Sequence, residues 1–284
     1  MQAGASEEAP VFRWAKWVDL SPQTEYTLRV IFRCTDEEGR KTMNSWEQSY
    51  TTDEILEMIR NHDGKETLNL RKCEIQNADI SGWDIPENID FEWSVFTNVN
   101  MTGTTFRKCN LNHVWFKECS TESIRFLYCD VQEANFRWMN FRGADFSGSN
   151  FHHTLFEYAN TEDITDNEDT KFFRMVCPAT GPFIAWKCCT ELRVVQLLVP
   201  ADAKRVSATA ETCRCNKAKV LSIKSIDETK SYDWAQSTVD PDFYYEVGKW
   251  VEPANGFEEN RWRDSSQGIH FFMERQQAVD YQSK

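Results

Sequence analysis

The chain lacks any uninterrupted apolar stretch near the roughly 18 residues that a membrane-crossing helix needs. Its mean hydropathy is −0.61, so no membrane association is expected. The opening, MQAGASEEAP, has neither the basic start nor the apolar core of a secretion signal, which leads us to expect a cytoplasmic protein. No C-x-x-C pair occurs among the ten cysteines. That absence removes the usual zinc-ribbon and dithiol motifs and leaves reduced thiols as the expectation. Cations are in short supply, with 32 Lys and Arg against 45 Asp and Glu and a net charge of −13. General nucleic-acid binding, which depends on cations displacing counterions from phosphate, is therefore not expected. With 284 residues the chain has length for about two domains and for cores that need no disulfide.

The charge that is present is uneven. Residues 1–67 hold 13 acids against 8 bases and residues 68–161 hold 12 against 8, both ordinary solvated surfaces. The run 162–169 adds Glu162, Asp163, Asp166, Glu168 and Asp169 with no base, the composition of an exposed linker. Residues 171–224 reverse the sign, with ten Lys and Arg against Glu191, Asp202 and Glu211, and 225–284 are acidic again. One basic island sits in an acidic chain.

The middle of the sequence repeats every five residues. Large apolar side chains occupy thirteen of the fifteen positions from Phe91 to Thr161, including Phe96, Phe106, Phe116, Phe126, Phe136, Phe146 and Phe156, and only Thr121 and Thr161 break the series. Two places before each stands a smaller residue such as Ser94, Thr104, Cys109, Ala134 or Ser149. An earlier block, Leu70, Ile75, Ile80 and Ile85, is one residue out of phase, which places an insertion at residues 85–88. Neither a 3.6-residue helix nor a two-residue strand keeps every fifth side chain on one side, so the chain must turn a corner in each repeat.

The triplets Ala78-Asp79-Ile80, Ala134-Asn135-Phe136, Ala144-Asp145-Phe146 and Ser149-Asn150-Phe151 resemble the A-(D/N)-(L/F)-x-x signature of the pentapeptide-repeat family. The resemblance implies a mainly β protein built on a right-handed quadrilateral β-helix, four pentapeptides to a coil, with the central residue and the one two before it pointing inward. Residues twenty apart then stack. Phe96, Phe116, Phe136 and Phe156 become one column and Phe106, Phe126 and Phe146 another, with coils about 4.8 Å apart. At about 1.5–3 kcal/mol per buried large side chain, this ladder should dominate the stability of the region. Cys109 and Cys129 stack in the small-residue slot, as buried thiols rather than redox groups.

One outward side is not polar. Val95, Trp115, Asn135 and Leu155 fill slots that the family usually gives to Asp or Asn, beside a corner column of Trp93, His113, Glu133 and His153. Such a stripe is either covered by a flanking segment of the same chain or is a binding face for another protein; the candidate partner-binding residues are Trp93, Val95, His113, Trp115, His153 and Leu155. His113 and His153 lie two coils, roughly 9–10 Å, apart, too far to share one metal ion.

The flanks complete the expectation. Residues 1–66 read as a small N-terminal α/β cap, with a strand at 26–32, a turn at 36–40 and a capped helix at 52–60; the coil covers 67–161, an acidic linker 162–170 and a C-terminal α/β domain 171–284. In the last segment strands are expected near 183–186, 194–199, 219–223 and 269–273, and a helix at 274–281. The phrases GPFIAWKC (181–188), PADAKRVSAT (200–209), CRCNKAKV (213–220) and GIHFF (268–272) resemble an uncharacterised domain family that often follows pentapeptide repeats, commonly in phage and other viral genomes. Within it Lys204, Arg205, Arg214 and Lys217 surround Ser207 and Thr209, a composition suited to a phosphate or carboxylate, or else to salt bridges with the acidic tail or linker; no glycine-rich loop accompanies them. Cys188, Cys189, Cys213 and Cys215 with His270 could be assembled into a thiolate and base or a zinc site, but their spacing carries no signature of either.

The function expected is a non-catalytic protein-binding scaffold, phage-encoded and acting on a host protein, such as a defence component, or on a phage protein, with no cofactor and no metal. Two alternatives stand beside it: a nucleotide or anion site in the C-terminal domain, and a DNA-mimic inhibitor of an enzyme such as gyrase. The mimic requires an acidic rod, and an excess of four acids over residues 68–161 is too nearly neutral for that.

Overall fold

Turning the chain every five residues requires a backbone conformation that most residues avoid. In the computed structural model, which describes residues 34–35, 41–42 and 50–282, the residue two places after each central position has positive φ: Trp93, Asn98, Gly103, Lys108, His113, Glu118, Ser123 and on to Asp163. A non-glycine residue in this left-handed region costs of the order of 1 kcal/mol, so something must compensate at every corner. Part of the compensation comes from the Asp or Asn just before the central residue. The side-chain oxygens of Asp90, Asn100, Asn110, Asn135, Asn140, Asp145 and Asn150 each accept a hydrogen bond from the backbone N–H two residues on. At Gly148 the reason for glycine is steric as well: a Cβ there would lie 2.3 Å from the Tyr128 ring.

The chain divides into two units, Met1–Gln48 and Ser49–Lys284. In the first, strands β1 (Cys34–Thr35) and β2 (Lys41–Thr42) pair antiparallel; the strand expected at 26–32 and the turn at 36–40 lie outside the described residues. The second unit starts with helix α1 (Thr52–Asn61). Thr51 and Glu54 cap each other's backbone N–H groups, and Ile55, Leu56 and Ile59 are buried in one cluster with Leu70 and Ile75. Strands β3 (Leu68–Asn69), β4 (Glu74–Gln76), β5 (Asp84–Ile85), β6 (Ile89–Asp90), β7 (Val95–Thr97), β8 (Thr105–Arg107), β9 (Trp115–Lys117) and β10 (Arg125–Leu127) follow.

These short strands pair only in parallel, along four ladders. The ladders run β4-β7-β9, β5-β8-β10, β3-β6 continued through Asn110, Asp130 and Asn150, and Asp79-Asn100-Ser120. Phe96 sits opposite Phe116, and Phe106 opposite Phe126. The first rungs are offset by one more residue, with Ile75 opposite Phe96 and Ile85 opposite Phe106, which accommodates the insertion. Asn88 there donates to the Gly64 carbonyl and is itself left-handed.

The interior is a continuous stack of rings. Phe96, Phe116, Phe136 and Phe156 follow one another at 5.0, 5.0 and 5.7 Å between centroids, and Phe106, Phe126 and Phe146 at 5.6 and 5.8 Å, all of them buried. The buried hydroxyls between them are satisfied: Ser94, Thr104, Ser149 and Thr154 donate to the carbonyls of Leu70, Ile80, Phe126 and Val131 at 2.7–2.8 Å. The stack ends on Phe173 and Trp262, which lie against Phe146 and Phe156 at 5.1 and 5.0 Å.

The acidic run expected as a linker instead prolongs the ladders. Thr165 pairs with Asp145 and Lys171 with Asn150, because their backbone groups complete the last coil before the chain leaves it.

The C-terminal segment also departs from the α/β expectation. Strands β11 (Phe183–Cys188), β12 (Val194–Val199), β15 (Ala218–Lys224) and β18 (Trp250–Val251) form one antiparallel sheet. A second contains β13 (Arg205–Ser207), β14 (Cys213–Cys215) and β19 (Ile269–Phe271), and β16 (Trp234–Gln236) pairs with β17 (Tyr244–Glu246). Helix α2 (Arg275–Gln282) packs on β11. Every named pairing here is antiparallel, whereas α/β folds need helical crossovers between parallel strands. Among the described residues no helix is long and apolar enough to cross a membrane.

Candidate interaction surface

The parallel register places Val95 opposite Trp115, Trp115 opposite Asn135 and Asn135 opposite Leu155, so the outward column of the sequence is a column in space. Val95, Trp115 and Leu155 lack the side-chain oxygen with which Asp and Asn satisfy the next turn. Apolar residues here forgo a local hydrogen bond and leave carbon facing outward. Beside them the Trp93 and His113 rings stack with centroids 3.9 Å apart and planes 8° from parallel. His113 Nδ1 lies 3.4 Å from Glu133 Oε2. Trp93 is 38 % exposed while Val95, His113 and Trp115 are half-buried.

Two of the six expected contact residues have C-terminal neighbours. His153 and Leu155 line a groove whose other wall is C-terminal: Thr209, Trp262 and Asp264. The Thr209 carbonyl accepts from His153 N–H at 2.9 Å, and the Thr209 hydroxyl donates to the Thr154 carbonyl at 2.7 Å. Trp93, Val95, His113 and Trp115 lie on the coils before that junction. The C-terminal segment therefore meets the lower part of the column, at His153, Thr154 and Leu155.

A second outward aromatic pair escaped the sequence reading. Trp138 and Tyr158, twenty apart at another corner, stack at 4.0 Å, with Trp138 69 % exposed. Arg263 donates to the Tyr158 hydroxyl at 2.8 Å. The twenty-residue period that aligned the other columns aligns this one too.

The basic island does not converge on an anion. Arg205 is buried and spends its donors on the carbonyls of Ala203, Gly181, Pro200 and Ala201 at 2.6–3.1 Å. Arg214, also buried, donates to the carbonyls of Glu258, Gln267 and Asn260 at 3.0–3.1 Å, and burial lowers its pKa. Lys204 pairs with Glu259, and Lys217 with Asp202 at 2.6 Å. The arginines act as staples for irregular backbone, a role their planar array of donors suits.

The thiol sites dissolve for a topological reason. Successive side chains on a strand face opposite sides of the sheet. Cys213 and Cys215 therefore pair across with Phe271 and Ile269, while His270 pairs with Arg214 on the other face. Burial pushes Cys189 and Cys215 up to about 12, far from a thiolate. Cys188 belongs to a different core cluster from Cys189, Cys213 and Cys215.

Residues 89–165 match the family described as a pentapeptide repeat region, and residues 173–278 match a family of unknown function (DUF5758). No curated protein matches the chain. Among solved structures, a pentapeptide repeat protein (Rfr23) from the cyanobacterium Cyanothece 51142 is 12% identical, covering 40% of this chain and 95% of its own, with a TM-score of 0.30. HetL, a pentapeptide repeat protein involved in heterocyst differentiation regulation from Nostoc sp. strain PCC 7120, is 14% identical over 45% of this chain and 74% of its own, with a TM-score of 0.19. QnrB1, a plasmid-mediated fluoroquinolone resistance protein, is 14% identical over 38% and 70%, with a TM-score of 0.22. The centre of the chain thus matches a pentapeptide repeat region, and the segment after it matches a family of unknown function.

Proposed function

We propose that the chain is a non-catalytic protein-binding scaffold that engages its partner through Trp93, Val95, His113 and Trp115. The observation that carries this reading is the register of Val95 with Trp115 beside the stacked Trp93–His113 pair. Together they form a rigid, partly apolar surface, with Val95 and Trp115 at slots where Asp or Asn would have served the fold better. Aromatic residues held by a stiff backbone lose little conformational freedom on binding, which is why they dominate interface energetics. The same reading takes the four ladders to close into a right-handed quadrilateral β-helix over residues 67–161, with the C-terminal segment as a second module. A host or phage protein as partner rests on the C-terminal phrases alone.

The test is affinity capture with the full chain and two variants. Trp93→Ala with Trp115→Ala should lose the partner, while Trp138→Ala, outside the surface, should retain it. Equal capture by all three proteins would refute the assignment of this face.

A further inference from the structure

The companion of His153 in its column, His113, is two coils away, too far to share a metal ion. The fold gives it a different companion. Adjacent residues on an extended chain point to opposite faces, but His153 has a φ of +58° at its corner, and its ring comes to 4.1 Å from that of His152. From fifty-nine residues further along the chain, Glu211 brings its carboxylate oxygens to 3.1 and 3.2 Å from His152 Nε2. One ligand atom from each of His152, His153 and Glu211 lies within 4.8 Å of the others.

We propose that His152, His153 and Glu211 bind a divalent transition-metal ion of the zinc class, clasping the end of the repeat coil to the C-terminal segment. Two imidazole nitrogens and one carboxylate oxygen are a donor set that suits zinc, cobalt or nickel, with water in the fourth position. Around a tetrahedral ion with bonds of about 2.0–2.1 Å, ligand atoms stand roughly 3.3–3.4 Å apart. The His152–Glu211 separation is already close to that value, and the His153 ligand atom stands within 4.8 Å of both.

A plain ion pair accounts for His152 with Glu211 but not for the second imidazole against the first. The backbone is fixed on both sides, by the His153 N–H to Thr209 carbonyl bond and by the Thr209 hydroxyl on Thr154.

The experiment uses the full chain stripped with a chelator and titrated with zinc by calorimetry and with cobalt by visible absorption. One ion per chain is expected, with cobalt d–d bands, no thiolate charge-transfer band, and a melting temperature raised by zinc, since an ion that binds only the folded arrangement stabilises it. His153→Gln, which leaves the His152–Glu211 pair in place, should weaken binding at least tenfold and abolish the melting shift, as should Glu211→Gln; circular dichroism checks that both variants fold. Absence of saturable one-to-one binding, unchanged affinity in His153→Gln, or a thiolate band placing the ion on cysteines would each overturn the proposal.

Discussion

Truncating Phe136 should show whether the aromatic stack holds the coil together. Its ring is fully buried and has Phe116 and Phe141 at 5.0 Å and Phe126 and Phe156 at 5.7 Å, with Phe126 within 3° of parallel. Losing the buried side chain removes about 1.5–3 kcal/mol of transfer free energy. A further term arises because the cavity cannot close. The ladder bonds from Phe136 N–H to the Leu155 carbonyl at 3.0 Å and from Asn135 N–H to the Val114 carbonyl at 2.8 Å hold neighbouring coils at a fixed spacing. With the lost ring contacts added, Phe136→Ala should cost about 4 kcal/mol, within the range for buried phenylalanines. In urea, with a slope of about 3 kcal/mol/M, the midpoint should fall by roughly 1.3 M. Trp138→Ala, which removes a larger but exposed ring from the same coil, should cost no more than about 1 kcal/mol. Unfolding followed by circular dichroism supplies the comparison. Equal midpoint shifts for the two variants would mean that stability lies in the backbone ladders and not in the stacked rings.

Two further outcomes concern the C-terminal segment. Arg214→Met should cost about 3 kcal/mol or more by leaving three carbonyls without their buried donor, and Arg214→Lys should not restore it, because one ammonium cannot fan out to all three. Thermal melts with and without nucleotide distinguish this from an anion site, whose loss would spare the melting temperature and abolish a nucleotide-induced shift. His270, lowered from an ordinary 6.5 to about 4 chiefly by burial and then by Lys187, should make stability fall with acidification. Between those values the unfolded chain takes up a proton that the folded one refuses, so stability is full above about 6.5 and declines toward pH 4. His270→Gln should flatten the urea midpoint across that window; an unaltered pH profile in this variant would assign the decline to other groups.

The five-residue period, the inward residues and the twenty-residue columns were legible because a solenoid is a one-dimensional crystal: each coil touches its neighbours, so spacing along the chain is spacing in space. That logic extended to Val95 opposite Trp115 and to the one-residue offset at 85–88. The same period stacks Trp138 on Tyr158 at another corner. The C-terminal segment has no such rule. Arg205 and Arg214 looked like an anion site because sequence shows charge but not which carbonyls stand within reach, and His270 joined the cysteines on paper although strand alternation turns it away from Cys213 and Cys215.

Local sequence therefore determined the repeat, its core and its outward stripe, since those depend on neighbours at fixed offsets. Tertiary structure decided where Glu211 meets His152, how Phe173 and Trp262 close the stack, and which part of the stripe meets the C-terminal segment. Each of these brings together residues whose separation along the chain obeys no period, and only the folded packing sets their distance.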